Sequence, residues 1–298
     1  MTPEDAAVSA IIKKIRAVHL TNRVKTEGGL SGTYSSTFKG NGLVFDSLRP
    51  YAFGDDIRSI DWNSTAKLNK PVVKIFCEER DLTLLVVMDI SGSVACGTGI
   101  SKRQFATEIG ATLAFSALKN RDRVGLCLCS DHIETFIPPK RSPNQLYTFI
   151  RKGLFFQAQH QQTDLVSSLQ ALMQLLKKRS IVCVLSDFIQ PASADQDKLF
   201  KTLRRIKQKH DLLCIRLEDP REQTLPNVGF IALEDAETQQ TLYVDTGNAH
   251  TRAVYEQHQK AQWQAFEKAS QQYGVRMLTL TNQQPYINAL NLFIQRKS

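Results

Sequence analysis

Asp89-Ile90-Ser91-Gly92-Ser93 places one carboxylate and two hydroxyls within five residues. These are hard oxygen donors, the kind that suit Mg²⁺ or Mn²⁺. The residues before them say where they must sit. Leu82-Thr83-Leu84-Leu85-Val86-Val87-Met88 is apolar and β-branched, too short for a helix and bounded by polar residues. It reads as a buried strand of a parallel sheet covered on both faces. In such a sheet ligands bind at the carboxyl ends of the strands, and Asp89, Ser91 and Ser93 lie there on a turn loosened by Gly92. Two further fragments share that edge: Thr163-Asp164 at a helix entry, and Ser186-Asp187 after the apolar run Ile181–Leu185.

The elements that position these fragments follow from periodicity. Residues 4–24 carry apolar side chains at Ile11, Ile12, Ile15, Val18 and Leu20, the spacing of an amphipathic helix. A loose glycine-rich stretch, residues 28–32, and a Gly40-Asn41-Gly42 turn lead into a short strand, and Pro71–Phe76 alternates as a second one. From residue 81 strands and helices alternate. Helices are expected over Lys102–Lys119, Pro143–Arg151, Asp164–Lys178, Lys198–Lys209, Ala253–Gln272 and Asn288–Gln295. Strands are expected over Arg123–Cys129, Ile133–Ile137, Ile181–Leu185, Asp211–Leu217 and Val275–Thr281, with short ones at Phe230–Leu233 and Thr241–Val244. Repeated αβ units of this kind imply an α/β fold with a doubly wound, mostly parallel sheet. The expected organisation is an N-terminal region over 1–80 and an α/β domain over 81–298, with a small β insertion at about 219–247.

Composition narrows the function. The 298 residues carry a formal net charge of +9. Residues 101–210 hold 18 Lys and Arg against 8 Asp and Glu, and the surplus falls on Lys177-Lys178-Arg179 and on Lys198–Lys209. Both are expected helix surfaces, solvated in the plain reading and a docking face for an acidic partner or nucleic acid in the sharper one. Residues 177–209 contain only Phe188 and Phe200 as aromatics, which argues against a base-stacking nucleic-acid module. No apolar stretch reaches roughly 18 residues, so no membrane span is expected. The polar start Met1-Thr2-Pro3-Glu4-Asp5 has no apolar segment after it, so no secretory signal is expected either. The six cysteines lie mostly in strand-like runs and are expected to be reduced, which fits a cytoplasmic location. The six histidines give no zinc spacing.

Catalytic readings fare poorly. A phosphatase of the haloacid dehalogenase kind, the metal-dependent phosphohydrolase alternative, needs a second carboxylate where this chain has Ser91. A phosphate-binding loop needs Lys where Thr98 stands after Gly92 and Gly97. No G-x-S-x-G elbow is present. The chain is therefore expected not to be an enzyme. One dense stretch remains: Arg49-Pro50-Tyr51-Ala52-Phe53-Gly54-Asp55-Asp56-Ile57-Arg58-Ser59-Ile60-Asp61-Trp62. Its arginines, carboxylates and aromatics suit a rigid turn in which Arg pairs with Asp over an aromatic floor. They also suit an interface, being rich in Arg, Tyr and Trp.

Asp89-x-Ser91-x-Ser93 followed by Thr163 and then Asp187 resembles the metal-ion-dependent adhesion site of von Willebrand factor A domains. That resemblance implies that Ser91, Ser93 and Thr163 contact the metal, while Asp89 and Asp187 act mostly through water. It implies a binding device with one coordination position left for an acidic side chain of a partner. Gly40-x-Gly42-x-x-Phe45, then Arg49-x-Tyr51-x-x-Gly54-Asp55-Asp56-x-Arg58-x-Ile60-Asp61-Trp62, then Lys74-x-Phe76-x-Glu78-x-Arg80 extend the likeness. With Asp122-Arg123-Val124-Gly125-Leu126 and Asp219-Pro220-x-Glu222 before Leu225-Pro226, they resemble domain-of-unknown-function family fifty-eight. Membership implies a von Willebrand A-like domain and an adaptor working with a MoxR-type AAA ATPase in protein maturation or remodelling. Two residues depart from the family pattern. Gln162 replaces the glycine before the metal threonine, and Lys67 replaces an arginine, which loses the bidentate fork.

Overall fold

A computed structural model describes residues 2–25, 42–79, 82–95, 100–159, 162–189, 196–234, 241–282 and 284–296. The glycine-rich stretch 28–32, the start of the Gly40 turn, Arg80, Cys96 and the Gly97-Thr98 pair lie outside them. The chain divides into two compact units, one of residues 1–37 with 83–298 and one of Phe38–Leu82.

The larger unit is built on a six-stranded sheet. Its strands are β3 (Thr83–Asp89), β4 (Arg123–Cys129), β5 (Ile133–Lys140), β6 (Ile181–Ser186), β7 (Asp211–Glu218) and β10 (Met277–Thr281). The order across the sheet is β10-β7-β6-β3-β4-β5. All neighbours run parallel except β4 and β5, which form an antiparallel hairpin at one edge. This is a doubly wound α/β arrangement with a mostly parallel sheet. Strand order reverses between β3 and β6, which makes the ends of these two central strands the expected ligand position. From Leu84 to Asp89 every residue of β3 is buried, as the unbroken apolar run requires of a strand covered on both faces. β5 is only half-buried and carries Pro138 and Pro139, which suits an edge where ladder donors are not needed.

Helices cover both faces. These are α1 (Pro3–Lys25), α3 (Gly92–Ala95), α4 (Lys102–Lys119), α5 (Pro143–Phe155), α6 (Leu165–Leu175), α7 (Gln196–Lys209), α8 (Pro220–Gln223), α9 (Ala249–Gln272) and α10 (Ile287–Gln295). α4 is buried on nearly all sides, so it lacks a polar stripe. Gly110 lets it lie close: a Cβ there would come 2.8 Å from Phe149 and 3.2 Å from Val86. On the other face a core of Leu165, Leu169, Leu199, Phe200, Leu203 and Phe266 packs against Val87, Val184 and Cys214. Strands β8 (Phe230–Glu234) and β9 (Thr241–Asp245) pair antiparallel as the small insertion.

Several elements differ from expectation. α1 belongs with the larger unit rather than with the segment after it. It packs on α4 and α5, where Lys14 pairs with Glu108 at 2.7 Å and Arg151 with Glu4 at 3.1 Å. α6 ends at Leu175, not Lys178, so Lys177, Lys178 and Arg179 lie in the loop that feeds β6. That loop is at the amino-terminal edge of the sheet, opposite Asp89. α9 starts at Ala249, four residues before the expected Ala253, because Asn248 accepts from the His250 N–H at 2.9 Å and caps it.

The smaller unit pairs β1 (Gly42–Pro50) antiparallel with β2 (Val72–Glu79) around an unforeseen helix α2 (Trp62–Leu68). The Arg–Asp pair of the dense motif is Arg49 with Asp55, bidentate at 2.6 and 2.7 Å. Gly54 takes φ +105°, a backbone conformation in which a side chain would be strained, and so turns the chain back onto Arg49. Asp56 accepts from the Arg58 N–H at 2.9 Å, and Asp61 caps α2 through Asn63 and Ser64. Tyr51 is half-buried and donates its N–H to Pro71 at 2.9 Å. The aromatic floor is not formed by Phe53 or Trp62, both of which are exposed, and Arg58 is exposed as well.

Candidate metal centre

The expected metal residues converge at the carboxyl edge of β3 and β6. Asp89 ends β3 and is 1% exposed. Its Oδ1 accepts the Ser91 N–H at 3.0 Å, and its Oδ2 accepts the Ser186 hydroxyl at 2.7 Å. The two central strands are thereby tied together at the site. Ser91 Oγ and Ser93 Oγ lie 3.3 Å apart at the start of α3. Thr163 is buried just before α6. Its loop is held to the end of β4, where the Asp164 N–H and the Ser168 hydroxyl both donate to the Ser130 carbonyl, at 3.3 and 3.4 Å.

Asp187 follows β6 and is buried. Its Oδ1 accepts the Ile189 N–H at 3.1 Å, while the Ser186 hydroxyl accepts the Phe188 N–H at 2.8 Å. Phe188 has φ +56°, a strained conformation for an aromatic residue and one that this hydrogen bond holds in place. Burial, and then the neighbouring Asp187 carboxylate, push the Asp89 carboxyl up to about 6. A buried carboxyl raised in this way is relieved by any cation that comes near it.

Lys102 is the residue that pattern reading missed. It opens α4 and is 1% exposed. Its Nζ lies 2.7 Å from Asp187 Oδ2 and also pairs with Glu222 Oε1. Glu222 is positioned by a capping box, in which Asp219 accepts from the α8 backbone and Glu222 Oε2 accepts the Asp219 N–H. Burial works against the Lys102 charge, but Asp187 and Glu222 outweigh it and hold the ammonium above its ordinary value. Burial pushes the Glu222 carboxyl up against the pull of Lys102. The sequence carries only a faint hint of this role: a cation in the first turn of a helix opposes the helix dipole, but an exposed lysine there is common enough to be read as solvated surface.

The donor set fits a hard divalent cation. Among the described residues, no three of His, Cys, Asp and Glu converge as a metal cluster. The site offers the Ser91 and Ser93 hydroxyls with Asp89 beside them, and the loop carrying Thr163 lies at the neighbouring end of β4. Asp187 is already engaged through both oxygens, which suits a role through water rather than direct ligation. A cavity of about 540 Å³ adjoins the site, sharing Asp187 and Glu222 and lined by Phe188, Trp263 and Phe266. In its wall the Arg216 guanidinium lies 3.7 Å from the centre of the Trp263 ring and 2.8 Å from Glu218.

Fold and site thus define a doubly wound α/β protein with an oxygen-rich carboxyl edge. Residues 47–265 match the family described as "Protein of unknown function DUF58", and the chain belongs to that family. The uncharacterized proteins Rv1480 of Mycobacterium tuberculosis and Mb1516 of Mycobacterium bovis are each 30% identical over 227 residues, 75% of this chain and 70% of theirs. Among solved structures, the conserved hypothetical protein BatB of Bacteroides thetaiotaomicron is 12% identical, with a TM-score of 0.46, covering 72% of this chain and 98% of that one. The SpRpn10 VWA domain is 10% identical, with a TM-score of 0.38, covering 71% and 93%. No helix among the described residues is long and apolar enough to cross a membrane.

Proposed function

We propose that this protein is a non-catalytic, metal-dependent protein-binding adaptor. The observation that supports the reading is the grouping of Asp89, Ser91 and Ser93 with the Asp187 turn at the strand-order switch, with the Thr163 loop at the adjacent end of β4. A Mg²⁺ or Mn²⁺ ion there would be held mainly by neutral hydroxyls. Such an ion keeps much of its charge and attracts an outside carboxylate, so the ligand is an Asp or Glu side chain of a client protein. The family resemblance supports a MoxR-type AAA ATPase as the working partner, in the cytoplasm, in protein maturation or remodelling.

The basic surplus takes a lesser part. Lys177, Lys178 and Arg179 lie at the opposite edge of the sheet, and α7 exposes its Lys and Arg residues on one face while burying Leu199, Phe200, Leu203 and Ile206. That pattern is a solvated amphipathic helix. A nucleic-acid module would show tight binding that falls steeply with salt; weak, sequence-blind binding is expected here. The direct test is a pull-down of a MoxR-type ATPase or client by the whole chain. Capture should be lost in EDTA and with Asp89→Ala. Equal capture in all conditions would remove the metal bridge from the account.

A further inference from the structure

The ion pair beneath the site has a consequence for how a metal is held there. Asp187 is the one candidate ligand whose carboxylate already faces a fixed cation. Lys102 Nζ lies 2.7 Å from Asp187 Oδ2, and both side chains are essentially excluded from solvent. The ammonium cannot swing away. Ser101 caps α4 by accepting the Gln104 N–H at 3.1 Å. Asn282 donates to the Ile100 carbonyl at 3.0 Å and to Asp219 Oδ2 at 3.1 Å, tying the start of α4 to the cap of α8. Glu222, on α8, takes the other side of the ammonium.

We propose that Lys102 is a positioning residue that holds Asp187 off the metal, and so sets how tightly this site grips its cation. The inference rests on the adaptor reading above. With Asp187 retained by the ammonium, the direct donors are the hydroxyls with Asp89, and the cation stays electron-poor toward a partner's carboxylate. Without the ammonium, Asp187 can turn its freed oxygen to the metal, which gains an anionic ligand and binds more firmly. The site would trade partner capture for metal affinity.

Net charge alone makes a rival prediction, and two variants separate the two. With all groups ionised, Asp89, Asp187, Glu222 and Lys102 sum to −2 in the wild type. Lys102→Met makes the cluster −3. Lys102→Met with Glu222→Gln restores −2 and also removes one of the two carboxylates that the first change strands. Calorimetric titration of the whole chain with Mn²⁺ reads the affinity, and melting with and without Mn²⁺ reads the gain in stability. Both variants should bind Mn²⁺ at least about tenfold more tightly than wild type, with a larger Mn²⁺-induced rise in melting temperature. Wild-type affinity in the double variant would overturn the proposal and leave only bulk charge. Unchanged or weaker binding in both variants would overturn it too. Absence of Mn²⁺ binding in all three proteins would remove the metal reading itself, and this inference with it.

Discussion

Ser186→Ala removes a hydroxyl that does two things at once. It donates to Asp89 Oδ2 at 2.7 Å and accepts the Phe188 N–H at 2.8 Å, and Ser186 is 1% exposed. A hydrogen bond to a buried charge contributes about 1.5–3 kcal/mol, and a buried N–H left without a partner costs about 1–3 kcal/mol. The two losses share one atom and are not additive, so the expected destabilisation is about 3 kcal/mol. For a domain of this size, melting temperature moves roughly 2–4 °C per kcal/mol, which makes the drop roughly 6–12 °C. The strained φ of Phe188 adds a local readout, because the turn over 187–189 should relax and its amides should exchange faster. Urea unfolding in EDTA at neutral pH, with and without the substitution, measures the first quantity without interference from metal. Ser186→Thr, which keeps the hydroxyl, should recover most of the loss. A loss under about 1 kcal/mol, or a Thr variant no better than Ala, would refute the bridging role.

Gly125→Ala should destabilise by about 1–3 kcal/mol, since its Cβ would meet the Ile137 carbonyl at 2.9 Å and Leu85 at 3.0 Å; chemical denaturation measures it. His210 is expected to make stability depend on pH. Its Nδ1 accepts the Ser180 N–H at 3.3 Å, and burial holds its pKa below the ordinary value. The folded chain then binds fewer protons than the unfolded one, so stability rises with pH through the region below about 6.5 and is lost on acidification. His210→Gln should flatten that part of a melting-temperature profile, and an unaltered profile would rule the residue out. Arg58→Ala should leave the melting temperature nearly unchanged, within about 0.5 kcal/mol, because Arg58 is exposed. A drop of many degrees would contradict that placement.

The position of the candidate residues at the strand ends was largely legible, because they follow strands whose apolar runs are unmistakable. Leu84–Asp89 and Ile181–Ser186 are buried throughout, and the turns after them inherit a fixed position. Lys102 was not legible as part of the site, because a lysine opening a helix reads locally as a solvated surface. Its burial is set by Asp187 and Glu222, distant in sequence. α2 escaped notice because Trp62-Asn63-Ser64-Thr65-Ala66-Lys67-Leu68 has no apolar stripe and buries none of its residues. The end of α6 was placed too late because apolar Leu175-Leu176 continues the helical pattern. The chain must nevertheless leave the helix there to enter β6. The attachment of α1 to the larger unit depends on contacts such as Lys14 with Glu108, which no local periodicity encodes.

Asp89, Ser91, Ser93 and Thr163, backed by Asp187, are expected to bind a divalent cation. The most direct measurement is a Mn²⁺ titration followed by electron paramagnetic resonance, in which the signal of free Mn²⁺ disappears as the ion binds. One bound Mn²⁺ per wild-type chain is expected, displaced by Mg²⁺ and lost in Asp89→Ala and in Ser91→Ala. Equal Mn²⁺ binding by the wild type and both variants would contradict it.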